Sequence, residues 1–211
     1  MKVISGILVK NRSKILEILG VSGSPTSPSR TFSLVEQAVE FARHASPSEK
    51  IQATLINLGD LNVQFCDGRD PKDYEGDTKF IVDKVCSCDG LIVGTPMYRG
   101  SCTAMLKNMF DLIPNDALLG KPVGLIATGG SDHHFLAIEH QLKPLIGFFH
   151  GHAIPGAVYA NNSHFQEGRL MDDGIIARLQ QLGESVVNFA AMVAAAGKSN
   201  LGADRPEIKR K

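Results

Sequence analysis

The sequence predicts a single α/β domain in three layers, a five-stranded parallel sheet with helices on both faces. Three observations predict it. Apolar runs of strand length alternate with segments whose apolar residues recur at helical spacing, and no internal repeat or low-complexity linker interrupts them. Such alternation requires right-handed crossovers, which place helices on both faces of a parallel sheet. The third observation is size: 211 residues can bury one core well but are short for two.

The elements follow in order. Residues 14–21 are a short apolar run ending in Ser-Gly-Ser-Pro, which reads as a first strand and a turn. Phe32, Val35, Val39 and Ala42 recur at helical spacing and predict a first helix over 31–44. Residues 53–58 predict a second strand, and the polar stretch 59–77 a long loop. Asp77 is placed to cap a second helix, with Phe80, Ile81, Val85 and Cys88 as its apolar positions. Residues 90–94 are too short and too glycine-bounded for a helix and predict a buried third strand. Met105, Met109, Phe110 and Ile113 predict a third helix that stops at Pro114. Residues 122–128 predict the fourth strand, followed by Gly129 and Gly130. Phe135, Ile138, Leu142, Leu145 and Phe149 predict a fourth helix, which Pro144 must kink or end. Residues 157–160 predict a weak fifth strand. Ile175, Leu179, Leu182, Val186, Phe189 and Val193 predict a long closing helix. The domain is therefore expected over 14–197, with an extension at 1–13 and a basic tail at 198–211.

Composition excludes several classes. The apolar fraction is 43% and the charged fraction 21%, both near the globular average, which argues against wholesale disorder. Lys+Arg and Asp+Glu balance at 22 each, so the molecule as a whole is not drawn to nucleic acid or an anionic membrane. No apolar run reaches spanning length, and the first ten residues lack a small-residue cleavage site. Cys66, Cys86, Cys88 and Cys102 form no metal-binding pattern and read as free thiols in a reducing cytoplasm.

In such sheets ligands bind beyond the carboxyl ends of the strands, where strand order reverses. The loops leaving strands one, three and four are the chain's most distinctive. Ser22-Gly-Ser-Pro-Thr-Ser-Pro-Ser-Arg-Thr31 carries five hydroxyls up to Ser29, then Arg30 and Thr31 at a helix start. A helix N-terminus offers unpaired N–H groups and positive potential, and hydroxyls plus an arginine suit a phosphate. The loop alone equally fits an ordinary Ser/Pro/Gly turn with a cap. It matches neither the dinucleotide fingerprint nor the Walker pattern. Thr95-Pro-Met-Tyr-Arg-Gly-Ser101 places Met97 and Tyr98 at a strand mouth, where they offer surface to a planar ring or simply cover the core. Arg99 adds a permanent donor. Thr128-Gly-Gly-Ser-Asp-His-His134 brings two glycines that let backbone approach a ligand. His133 and His134 are adjacent and lack a cysteine or carboxylate partner pattern, which disfavours zinc. Phosphate loop, ring surface and close backbone together match a mononucleotide, and FMN fits better than ATP because no Walker or metal-binding residue accompanies the phosphate loop.

These residues carry a resemblance. Ser22-Gly-Ser-Pro with Ser29-Arg-Thr31, Gly94-Thr-Pro-Met-Tyr-Arg99, Asp111-Leu-Ile-Pro114, Ala117-Leu-Leu-Gly-Lys121, Ala127-Thr-Gly-Gly-Ser131 and Leu142-Lys-Pro144 resemble the NAD(P)H-dependent FMN reductase family. The likeness runs from about residue 14 to 160 in order and spacing. It is greatest to the branch that supplies reduced flavin to two-component alkanesulfonate monooxygenases. The resemblance implies a flavodoxin-like sheet of order 2-1-3-4-5, FMN and NADPH or NADH as ligands, and a homodimer or homotetramer. It implies that Ser22, Ser24, Ser29, Arg30 and Thr31 bind the FMN phosphate. Pro96, Met97, Tyr98, Arg99 and Gly100 would line the flavin ring, and Thr128, Gly129, Gly130 and Ser131 would close its other side. The cofactor does the redox chemistry, so no catalytic side chain and no metal ligand is expected. The main rival is an NAD(P)H:quinone or azo-compound reductase of the same fold that keeps its FMN bound. An electron-transfer flavodoxin is disfavoured by the zero net charge, and an iron–sulfur flavoprotein by the scattered cysteines. A non-catalytic nucleotide-binding module remains the rival outside enzymes, since fold alone does not decide function.

Overall fold

Strand β1, Leu16–Ser22, is buried along its whole length except at the half-buried Glu17, as its largely apolar sequence requires of a strand covered on both faces. The structure is a computed structural model and describes residues 15–46 and 50–196. The expected extension at 1–13 and the tail at 198–211 lie outside the described residues, as does Lys14. Helix α1 spans Arg30–Arg43, and β2 spans Ile51–Asn57. Then come α2, Gly76–Ser87, and β3, Gly90–Pro96, followed by α3, Ala104–Leu112, and β4, Pro122–Thr128.

Strands β2-β1-β3-β4 lie in that order, all parallel, and the expected order 2-1-3-4-5 holds. The fifth position is not one strand but two. Strand β5, His152–Ala153, pairs with Pro122 and Val123 at the start of β4, and β6, Val158–Ala160, pairs with its end. Pro155, which has no N–H, and Gly156, at φ 82°, break the ladder between them. The sequence signal at 157–160 saw only the second piece.

Three helical details differ from expectation. Asp77 does not cap α2: Glu75 occupies that position, and the Asp77 carboxylate accepts from the Asn62 N–H at 2.7 Å instead. Phe80 is exposed, lying under Lys84 with the ammonium 5.9 Å from the ring centre, and Cys88 is the buried residue that ends the helix. The fourth helix is broken into a 3₁₀ turn at Asp132–His134, a π turn at Ile138–Leu142 and the short α4, Lys143–Phe148. Pro144 has no N–H for the His140 carbonyl and its ring crowds that group, so the turn widens. Lys143 N–H then reaches Ile138, five residues back. Expected breakage at Pro144 is thus met on its N-terminal side.

Two apolar layers flank the sheet. One holds α1 and α5, Asp173–Ala196, whose Ile175, Leu179, Leu182, Val186 and Val193 are buried as the periodicity predicts. Burying each such side chain contributes about 1.5–3 kcal/mol, so this stripe fixes the helix against the sheet. A hairpin of β7, Phe165–Gln166, and β8, Arg169–Leu170, precedes α5. It turns through Glu167 and Gly168, both at positive φ, as a two-residue hairpin requires.

Candidate functional site

The loops leaving β1, β3 and β4 meet in one cleft of about 310 Å³ at the carboxyl end of the sheet. Its lining comprises Ser24, Thr26, Pro28, Ser29, Arg30, Thr31, Pro96, Met97, Tyr98, Thr128, Gly129, Gly130, Ala160, Asn162 and Phe165.

The first loop is held from beneath. Gly23 N–H donates to the Gly94 carbonyl at 2.8 Å, and Thr103, which caps α3, donates its hydroxyl to the Gly23 carbonyl at 2.7 Å. Ser29 is the N-cap of α1, its Oγ accepting from Phe32 N–H at 3.1 Å. The first N–H groups of the helix, at Arg30 and Thr31, have no carbonyl within it to bind and point to the cleft end with the positive helix potential. The Thr31 and Thr128 hydroxyls lie 2.7 Å apart, joining the first loop to the third, and Met97 N–H donates to the Thr128 carbonyl at 2.7 Å, joining the second.

Gly129 is there because nothing else fits. A Cβ at that position would lie 2.0 Å from the Tyr159 hydroxyl. Tyr159 is buried, and its hydroxyl donates to the Ser131 carbonyl at 2.5 Å, so the ring cannot move aside. Burial, with the Asp132 charge second, raises the phenol's pKa, which keeps it a proton donor. Gly129 N–H in turn donates to Ala160 at 3.0 Å.

Four expected site residues do not line the cleft. Ser22 is buried at the end of β1, where its Oγ accepts from Ser24 N–H at 3.4 Å. Arg99 and Gly100 form the tip of a tight turn closed by mutual backbone bonds between Tyr98 and Ser101. Both have positive φ, 55° and 83°, and the turn carries them away from the lining. Ser131 contributes its carbonyl to Tyr159 and pairs its hydroxyl with His133, 2.7 Å away. Cys102 lies beside this turn. Burial pushes its thiol pKa up, so at neutral pH it is a thiol and no nucleophile. Cys102→Ser is accordingly expected to leave reductase activity within about twofold of the parent; the check is the steady-state rate of NADPH oxidation with FMN, and a large loss would assign the thiol a part in handling flavin.

Ala160, Asn162 and Phe165 form a wall that sequence reasoning missed. The Arg30 guanidinium donates to the Asn162 side-chain oxygen and lies 5.4 Å from the Phe165 ring centre. A turn signal was present, Glu167-Gly168 between two short apolar-containing pairs, but nothing local tells that the preceding residues face α1 from 132 positions away.

A parallel sheet of this order, with a helix start suited to phosphate and an apolar face suited to a planar ring in one cleft, defines a flavodoxin-like flavoprotein. The chain belongs to the NADPH-dependent FMN reductase family, whose model matches residues 16–165. It is 41% identical over 175 residues to an NAD(P)H-dependent FAD/FMN reductase of Geobacillus thermodenitrificans, covering 82% of this chain and 93% of that one. It is 33% identical to the NADH-dependent FMN reductase SfnF of Pseudomonas putida, over 84% and 94% of the two chains. The solved apo structure of the NADH:FMN oxidoreductase EMOB superposes with a TM-score of 0.66 at 32% identity, covering 84% of this chain and 89% of that one. The chain is thus an oxidoreductase, an NAD(P)H-dependent FMN reductase.

Proposed function

We propose that FMN binds in this cleft as a substrate that leaves once reduced, and that the reduced flavin serves a partner monooxygenase. The observation that carries this is the cleft's rim: Thr26, Pro28, Arg30, Tyr98, Gly130 and Asn162 all line it and are all exposed. A ligand held by such a rim departs without unfolding anything.

The residues fit the group. The start of α1 with Ser24, Ser29, Arg30 and Thr31 would hold the phosphate, since N–H groups, hydroxyls and a guanidinium converge there. Pro96, Met97 and Tyr98 would face the ring, and the absence of a side chain at Gly130, whose Cβ would meet nothing within 4 Å, would let backbone meet its edge. Bound flavin supplies the hydride chemistry. The protein's task is orientation and exclusion of water. No side chain is needed as nucleophile or general base. Four free thiols fit a reducing cytoplasm. Phe135, Leu136 and Phe148 are exposed and available to a contact between copies in a homo-oligomer.

The test strips the protein of flavin and follows NADPH oxidation as FMN is titrated from sub-stoichiometric to large excess. A rate that keeps rising well past one FMN per chain supports release. A rate that saturates at one equivalent and then needs an added quinone or azo dye replaces this reading with that of a reductase with resident FMN.

A further inference from the structure

The Arg30 side chain crosses the cleft to its far wall. Its guanidinium donates to the Asn162 side-chain oxygen and stacks 5.4 Å from the Phe165 ring centre. An exposed arginine has many rotamers, and fixing one costs side-chain entropy. Here two groups from the opposite wall fix it before any ligand arrives.

The wall itself is built. Asn161 is buried; its Nδ2 donates to the Asp132 carboxylate at 2.6 Å and its Oδ1 accepts from Ser163 N–H at 2.8 Å. The His164 ring accepts from Asn161 N–H at 3.0 Å, closing a reciprocal cap. Met171 N–H donates to the His164 carbonyl at 3.0 Å, and the β7–β8 hairpin follows directly. Asn162 and Phe165 are therefore carried on a turn pinned at both ends.

We propose that Asn162 and Phe165 are positioning residues that preset Arg30 for a terminal phosphate monoester, and that they thereby set the enzyme's preference for FMN over riboflavin. The proposal rests on the reading of this cleft as the FMN site. A neutral amide oxygen suits the role. It holds the guanidinium by one N–H and leaves the others for the phosphate, whereas a carboxylate would neutralise the charge and repel the anion. The aromatic face holds the cation without consuming any donor.

The experiment measures dissociation constants of FMN and riboflavin by quenching of flavin fluorescence in the flavin-stripped full chain. Asn162→Ala and Phe165→Ala are each expected to weaken FMN about three- to tenfold, the scale of losing one modest polar contact. Riboflavin, which lacks the phosphate, is expected to bind them as it binds the parent. In an Arg30→Ala background, Asn162→Ala is expected to change nothing further, because the coupling partner is gone. Equal weakening of both flavins would show that the wall merely shapes the cleft, and would overturn the proposal. So would additive effects of Arg30→Ala and Asn162→Ala on FMN. A parent chain that binds neither flavin would overturn the reading of the site, a result separable from failure of the clamp.

Discussion

Arg30→Ala is expected to weaken FMN binding by about 1–3 kcal/mol, the range for losing a hydrogen bond to a charged group. That is about five- to 150-fold in dissociation constant. The side chain stands at the N-terminal end of α1 and lines the cleft. Truncation removes a permanent cation and several donors at the point where N–H groups also converge, and nothing nearby replaces them. The loss should be read in FMN affinity and in the KM for FMN, and it should shrink as salt is raised, because the contact is exposed. Circular dichroism and melting temperature should scarcely move, since Arg30 is an exposed side chain at the helix start. An unchanged FMN dissociation constant would remove Arg30 from the phosphate site and leave the helix start and hydroxyls to carry it alone.

Gly183→Ala is expected to destabilise the fold by about 2 kcal/mol. A Cβ at this position would lie 2.4 Å from the Ala38 carbonyl oxygen and 3.0 Å from the Ala42 nitrogen. Both are backbone atoms of α1, so no rotamer change relieves the contact, and the two helices must separate. The seam they share includes buried Leu34, Ala38 and Ala42 on one side and Leu179, Leu182 and Val186 on the other. Overpacking of this kind costs about 1–3 kcal/mol, occasionally more, and the better helix propensity of alanine returns up to about 1. At about 2–4 °C per kcal/mol for a domain of this size, the melting temperature should fall by several degrees. Gly147→Ala in α4 is the control, for nothing lies within 4 Å of its added Cβ. A Gly183→Ala chain that melts with the parent would show that α1 and α5 do not approach this closely.

Much of this was legible along the chain. The residues 90–94 and 122–128 are apolar without alternation, which only a strand buried on both faces satisfies, and both are central strands. The stripe from Ile175 to Val193 has one period and one solution. The three loops that line the cleft were legible because their residue types are restrictive: hydroxyls before a helix start, Pro-Met-Tyr after a strand, paired glycines after another. Strand order then brought them together, as the rule for ligands at strand ends requires.

Other features had no local signal. Phe80 occupies an apolar position of α2 yet lies outside, because the buried face of the helix is that of Thr78, Ile81, Val82 and Val85. Arg99 reads as a binding residue by its charge, and only the positive φ of the Tyr98–Ser101 turn carries it off the lining. Asn162 and Phe165 read as loop residues of no particular kind. They enter the site because β6 pairs with the end of β4, which sets the following turn opposite α1. By itself the sequence determined which segments are strands and helices and which loops could hold a mononucleotide, since periodicity, caps and turn chemistry are local properties. Only the tertiary structure decided which side chains face that cleft and what holds Arg30 across it, because those contacts join residues far apart in the chain through sheet pairing that no single segment encodes.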